Sequence, residues 1–389
     1  MAFCVRNESS CTYIRYDIYQ FLYIGRHQQK DESVEHLLPT KAQGQITRRT
    51  LLIRAGSVVW INAILLGCGT TSSQKNDTLT PLPIATSTPA AVSADHRLLF
   101  TYKGHAAEVY IVSWAPDSTY LASAGRDQTV QVWDAHNGSY LYTYRGHSDR
   151  ITALDWSHHG DRIVSGSRDS TAQVCNAQTG KLLFTYNGHA GEVLSAAWSP
   201  DDKRIASAGV DTTAQIWDTR SGKILIRYTG HSDAVTVVSW SPDGKHIASS
   251  SLDSTVQVWD ALHGNHLFTY TGHSGAVNAV GWSYDGKYIA SCGQDKTVQV
   301  WNAQDGSSPI IYKGHTTTVD TLTWSPDSTL LASGSYDHTV QVWNALAGSL
   351  LYTYKGHTDV VEAVAWSPDG TLIASCSDDR TVQVWRAPE

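Results

Sequence analysis

The chain has 389 residues, 41% of them hydrophobic and only 17% charged, which supports a sizeable core and excludes wholesale disorder. Its formal net charge is −7, unevenly spread: of 29 Lys+Arg and 36 Asp+Glu, residues 1–97 hold 10 and 7, so the remainder is strongly acidic. That balance argues against nucleic-acid binding through a broad phosphate-neutralising surface, and six scattered cysteines with no CxxC pair argue against a zinc site or a disulfide framework.

Taken in chain order, residues 1–46 form an N-terminal extension with no reliable periodicity. Met1 is the only methionine, and a translation start at Val34 or Leu37 would leave the next segment close to a true N-terminus. Residues 47–69 open with Arg48-Arg49 and Leu51-Leu52, and residues 55–67 are apolar apart from Ser57 and Asn62. That stretch is short for a membrane span, which needs about 20 residues, and suits a secretory signal. The arginine pair resembles a twin-arginine export signal, and Leu65-Leu66-Gly67-Cys68 resembles a bacterial lipobox, with Leu66 a less usual residue there. The resemblance implies a lipidated Cys68 and an extracytoplasmic, membrane-anchored protein. An uncleaved N-terminal helix as the anchor and a plain buried helix are the alternatives. Residues 70–96, rich in Ser, Thr, Pro and Ala, read as an extended linker.

From residue 97 to 389 one pattern repeats. Gly-His recurs with histidines at His105, His147, His189, His231, His273, His315 and His357, each 42 residues from the next. On the same step stand Trp114, Ser123 and Asp127 with their six counterparts, and Trp133, whose place is taken by Cys175 in the second repeat. Within a repeat, four short β-branched and aromatic runs are separated by Gly, Pro, Asp and Asn, which predicts an antiparallel meander of four strands. One meander cannot bury both faces, but seven packed around an axis can. Gly-His, Trp-Ser-Pro-Asp-Gly, Ala-Ser-x-x-x-Asp and Val-Gln-Val-Trp-Asp together resemble the WD40 repeat, most fully at residues 230–260. The resemblance implies an all-β, seven-bladed WD40 β-propeller, closed by pairing of the N-terminal strand at residues 98–103 with the last repeat. Cys175, Cys292 and Cys376, one each in three repeats, are expected to be small buried residues.

Seven histidines and seven aspartates in register suggest metal or catalysis at first sight, but a site needs a few special residues rather than one set in every repeat. The resemblance implies a structural network within each blade, His105, Ser123, Asp127 and Trp133 in the first and His231, Ser249, Asp253 and Trp259 in the fourth. No catalytic, metal or cofactor residue is assigned, and GxSxG, P-loop, HExxH and EF-hand patterns do not occur. The second repeat, with Cys175 and with Ser157-His158-His159-Gly160 in place of Ser-Pro-Asp-Gly, is expected to be the least stable.

Against this fixed background a few positions vary: the residue before the turn aspartate, and those one, three and five places after the histidine. In WD40 proteins they surround one mouth of the central channel, a docking face. Carried over, they give a basic sector of Tyr110, Arg126, Arg150 and Arg168, and an apolar middle of Leu194, Val210 and Leu252 with Ala234 and Ala276. Gln294 follows, and then an acidic sector of Asp320, Tyr336, Glu362 and Asp378. The expected function is a non-enzymatic scaffold for a protein or peptide, monomeric, touching membrane only through its N-terminal segment. The alternatives are the sensor half of a bacterial signalling system and a propeller enzyme with an acidic site near the channel.

Overall fold

Gly, Pro, Asp and Asn punctuate each repeat at the same places, and the chain accordingly breaks into four strands per blade. In the computed structural model, which describes residues 6–7, 10–11 and 97–388, the first blade comprises Val109–Trp114, Tyr120–Gly125, Val130–Asp134 and Tyr140–Tyr144, paired in that order and antiparallel. The turns follow from side-chain chemistry. In the fourth blade Asp243 Oδ1 accepts from the Lys245 amide at 3.0 Å and from Ser241 Oγ at 2.6 Å, while Gly244 takes the left-handed φ of 66° that closes the turn.

The burial of each strand reflects its place. The two middle strands are sandwiched on both faces and are almost wholly buried, as in Tyr120–Gly125 and Val130–Asp134. Their Ala, Ser, Gly and Val residues let neighbouring blades approach closely. The first strand alternates, and the fourth exposes residues such as Leu183 and Leu225 along an outer edge. Seven apolar clusters form among the described residues, and each spans two adjacent blades; one joins Val382 and Val384 of the last blade to Val109 and Trp133 of the first. Seven seams for seven blades make a closed ring.

Closure uses the earliest strand. Leu98–Tyr102 pairs antiparallel with Val382–Arg386, Thr101 facing Gln383 and Tyr102 facing Val382, and so completes the seventh blade. An edge that would otherwise be open is covered by the chain's own other end. Cys175, Cys292 and Cys376 are buried and free.

Ahead of the ring, Arg6–Asn7 pairs with Ser10–Cys11. The extension at 1–46 beyond those four residues, the export or anchor segment at 47–69 with Cys68, and the linker at 70–96 lie outside the described residues.

Candidate functional site: the two mouths of the channel

The repeated polar residues meet inside each blade. In the fourth, His231 Nδ1 lies 2.9 Å from Asp253 Oδ2 and Nε2 lies 2.9 Å from Ser249 Oγ, while Trp259 Nε1 donates to that same oxygen at 3.1 Å. In the first, His105 makes the corresponding contacts to Asp127 and Ser123 at 2.9 and 2.8 Å, and Trp133 donates to Ser123 at 3.1 Å. Burial alone would push the Asp127 carboxyl up. Hydrogen bonding and charge from His105 outweigh it and hold the group at about 2.

The spacing of Ser, His and Asp is that of a hydrolytic triad, yet the environment forbids that chemistry. Ser249 has no exposed surface, and its oxygen is occupied by the indole N–H. A substrate carbonyl cannot reach it, so the arrangement serves to satisfy buried polar groups and lock one geometry.

The tryptophan has a second task. Tyr228, on the outer strand of the third blade, stacks on Trp259 of the fourth with centroids 4.6 Å apart and planes 5° from parallel. Six of the seven seams carry such a stack. The seam between the first and second blades does not, because Cys175 stands where the ring would be. There Tyr142 reaches across and donates its hydroxyl to Ala177 O at 2.6 Å.

The varying residues gather at one mouth. In every blade the residue before the turn aspartate donates its amide to the carbonyl of the residue three places after the histidine, as Arg126 does to Glu108, Arg168 to Arg150, and Asp378 to Val360. Tyr110, Leu194, Asp320 and Glu362 sit on the first strand of their blades and are half-buried. Arg126, Gln294 and Tyr336 are exposed, while Arg150, Arg168, Val210, Leu252 and Asp378 are half-buried. Ala234 and Ala276 are buried, so they present no surface and the apolar middle reduces to Leu194, Val210 and Leu252.

Sequence reasoning overlooked two glutamates at this mouth. Arg126 donates to Glu108 at 2.7 Å, and Arg168 pairs with Glu192. Both glutamates lie three places after the histidine, a position already recognised as variable, so the signal was present. They offset much of the basic sector.

The acidic sector is differently placed. Burial pushes the Asp320 carboxyl up to about 7, the charge of Asp378 adds to that, and Asn278 donating at 3.0 Å works against it. Glu362 is raised well above its ordinary range, first by burial and then by Asp320 and Asp378. Burial also pushes the Tyr110 phenol to about 12, with Arg150 and Asp378 acting in opposite senses.

Toward the opposite mouth, just before the tryptophan that ends the first strand of each blade, stand Ser113, Asp155, Ala197, Ser239, Gly281, Thr323 and Ala365, all half-buried. One of the seven is charged. Asp155 Oδ2 accepts from the Trp198 amide of the next blade at 2.9 Å, and burial pushes its carboxyl up to about 6. Beside it, the irregular turn of the second blade meets an irregularity of the third. Asp202 replaces a turn glycine at a φ of 55°, and its carboxylate accepts the amides of His158 at 2.8 Å and His159 at 2.9 Å. Both Nδ1 atoms also lie on it, at 3.2 and 2.5 Å. The histidine pair is exposed, but it forms a clamp between blades.

These features agree with the comparisons. The WD domain, G-beta repeat family pattern matches residues 96–134, 138–176, 180–218, 222–260, 264–302, 306–344 and 348–386. The chain is also similar to Protein HIRA of Zea mays, 40% identical over 42 residues. That match spans 11% of this chain and 4% of the maize protein, a single repeat's length. With seven matched repeats closing into seven blades, the chain belongs to the WD40 (WD domain, G-beta repeat) family.

Proposed function

We propose that the protein is a non-enzymatic scaffold that binds a protein or peptide at the channel mouth bearing Tyr110, Arg126, Arg150, Leu252, Tyr336 and Glu362. One observation carries the reading: the residues that hold the blades together recur unchanged but for Cys175, whereas those at this mouth differ from blade to blade. A surface that only had to be solvated would have no need of Tyr, Arg and Leu side there beside carboxylates, and Tyr and Arg are common interface anchors. The partner presents a basic group toward Asp320, Glu362 and Asp378 and an acidic one toward Arg150. The motifs at Arg48-Arg49 and Leu65–Cys68 support placing this scaffold outside the cytoplasmic membrane, held by its N-terminal segment.

The test is capture of partners from host membranes by the full chain, compared with two variants. Arg150→Glu with Tyr336→Ala alters this mouth, and Lys203→Glu with Lys245→Glu alters the opposite one. A partner lost by the first variant and kept by the second supports the proposal. Retention by the first variant, or loss by both, counts against it.

A further inference from the structure

The residue before each Gly-His pair follows the outermost strand of one blade, and the residue after each turn aspartate lies between the second and third strands of the next. The two places meet at an outer corner of the variable mouth. In the sixth blade Gln341 Nε2 donates to Gly314 O at 3.3 Å and the Thr316 amide donates to Asp337 Oδ2 at 3.0 Å, so Lys313 and His338 flank one bonded corner. The same two bonds fix the seventh corner, at 3.1 and 3.2 Å, and the first, at 3.3 and 3.1 Å. Packing there is tight: a Cβ on Gly356 would lie 2.2 Å from Tyr354 Oη. Side chains on these corners therefore stand on a rigid base.

Seven corners give fourteen such places, and none holds Asp or Glu, although the chain has 36 of those against 29 Lys and Arg. Six hold a cation: Lys296 in the fifth blade, Lys313 in the sixth, Lys355 and Arg380 in the seventh, Lys103 in the first and Arg145 in the second. The third and fourth blades hold only Asn187, Thr212, Thr229 and Ser254. The cations thus form one arc over five successive blades, across the closure of the ring. All six are exposed, and none joins an ion pair among the described residues. The nearby loop carboxylates are occupied, Asp149 Oδ1 by the Arg150 amide at 2.7 Å and Asp359 Oδ1 by the Val360 amide at 2.9 Å.

We propose that this arc docks an acidic stretch of a protein partner, laid in extended form along the outer rim from the fifth blade to the second. The arc lies outside the residues assigned to the channel-mouth site and stands without them. Charge selects an anion, and the rest of the face selects a narrow one. Glu108, Asp320, Glu362 and Asp378 stand at the same mouth, so a bilayer or a nucleic-acid duplex broad enough to touch corners in five blades would also cover those carboxylates and be repelled. An extended acidic chain follows the corners and leaves the mouth uncovered. A single nucleic-acid strand is narrow too, but the fourteen places hold no Phe, Tyr or Trp on which a base could stack.

The probe is a fluorescein-labelled oligoglutamate peptide, titrated into the full chain and read by anisotropy, with oligoglutamine as the neutral control. Oligoglutamate should bind saturably, less tightly as salt rises, and oligoglutamine should not bind. The arc variant combines Lys296→Ser, Lys313→Thr, Lys355→Thr and Arg380→Ser, which installs the residues that the fourth blade carries at these places. Ser254 already sits there at a left-handed φ of 72°, so the variant should keep the wild-type melting temperature. It should bind oligoglutamate about tenfold more weakly. A matched variant, Lys181→Ser, Lys203→Thr, Lys223→Ser and Lys245→Thr, removes as many charges from the opposite mouth and should bind as the wild type does, as should Tyr336→Ala. No saturable binding in the wild type, equal binding of oligoglutamine, or an equal loss in the matched variant overturns the proposal. Loss in Tyr336→Ala overturns it by moving the site to the channel mouth. Tighter arc-dependent binding of oligothymidylate or of phosphatidylglycerol vesicles overturns it by replacing the polypeptide with another anion.

Discussion

Each Gly-His histidine uses both ring nitrogens, one on an aspartate and one on a serine, and the tryptophan indole completes the group in five blades. The tryptophan therefore does two things at once: it satisfies a buried serine oxygen and it supplies a stacking face for the tyrosine of the preceding blade. Cys175 shows what the second blade gives up by lacking it, since Ser165 keeps His147 at 2.8 Å but has no indole donor. Reproducing that loss elsewhere measures the residue's contribution. Trp259→Cys should destabilise the protein by about 3 kcal/mol, through lost packing, a residual cavity and a lost hydrogen bond. Chemical denaturation checks this, and a loss below about 1 kcal/mol would mean the site collapses around the smaller side chain.

Innermost strands and turns carry opposing charge effects, and these set the pH dependence. The seven network aspartates are all held below the ordinary carboxylate range, Asp127 at about 2. Their stabilisation is complete above about pH 4, where the unfolded carboxyl ionises, and is lost as pH falls toward the folded value. Asp155, Asp320 and Glu362 are raised instead, the first two to about 6 and about 7. For these the folded state binds the proton more tightly, so stability declines as pH rises from about 4 to about 7. The melting temperature should therefore pass through a maximum near about pH 4–5. Asp320→Asn should raise it at pH 8 and change it little at pH 4.5, because Asn278 keeps an oxygen acceptor and the desolvated charge is gone. Calorimetry across that range checks the pair, and an equally steep alkaline decline in the variant would refute the assignment. The clamp of Asp202 on His158 and His159 works at the same scale, tying the second blade to the third where the seam toward the first lacks its stack.

At the scale of the whole molecule, stability depends on ring closure, because every blade buries its faces only against two neighbours. Deleting residues 1–104 removes Leu98–Tyr102 and leaves Val382–Arg386 as an open edge. The shortened chain should melt at lower temperature and associate in a concentration-dependent way, as exposed edges pair between chains. Light scattering and calorimetry test this together, and a monomer of unchanged melting temperature would show that closure is dispensable. The four strands, their turns and the seven-fold count were legible because local signals recur every 42 residues. So were His231, Ser249, Asp253 and Trp259, since residues that keep a common step occupy equivalent places in every blade. The positions of Glu108 and Glu192 were visible, but their pairing with Arg126 and Arg168 was not. The bond of Asp155 to the Trp198 amide and the Asp202 clamp were missed because their partners lie in different repeats.

The division has a physical cause. Strand, turn and within-blade bonds depend on residues a few to some twenty places apart, whose meeting the meander dictates, so the sequence by itself determined them. Contacts across a seam exist only once seven blades close into a ring, and tertiary structure alone decided those.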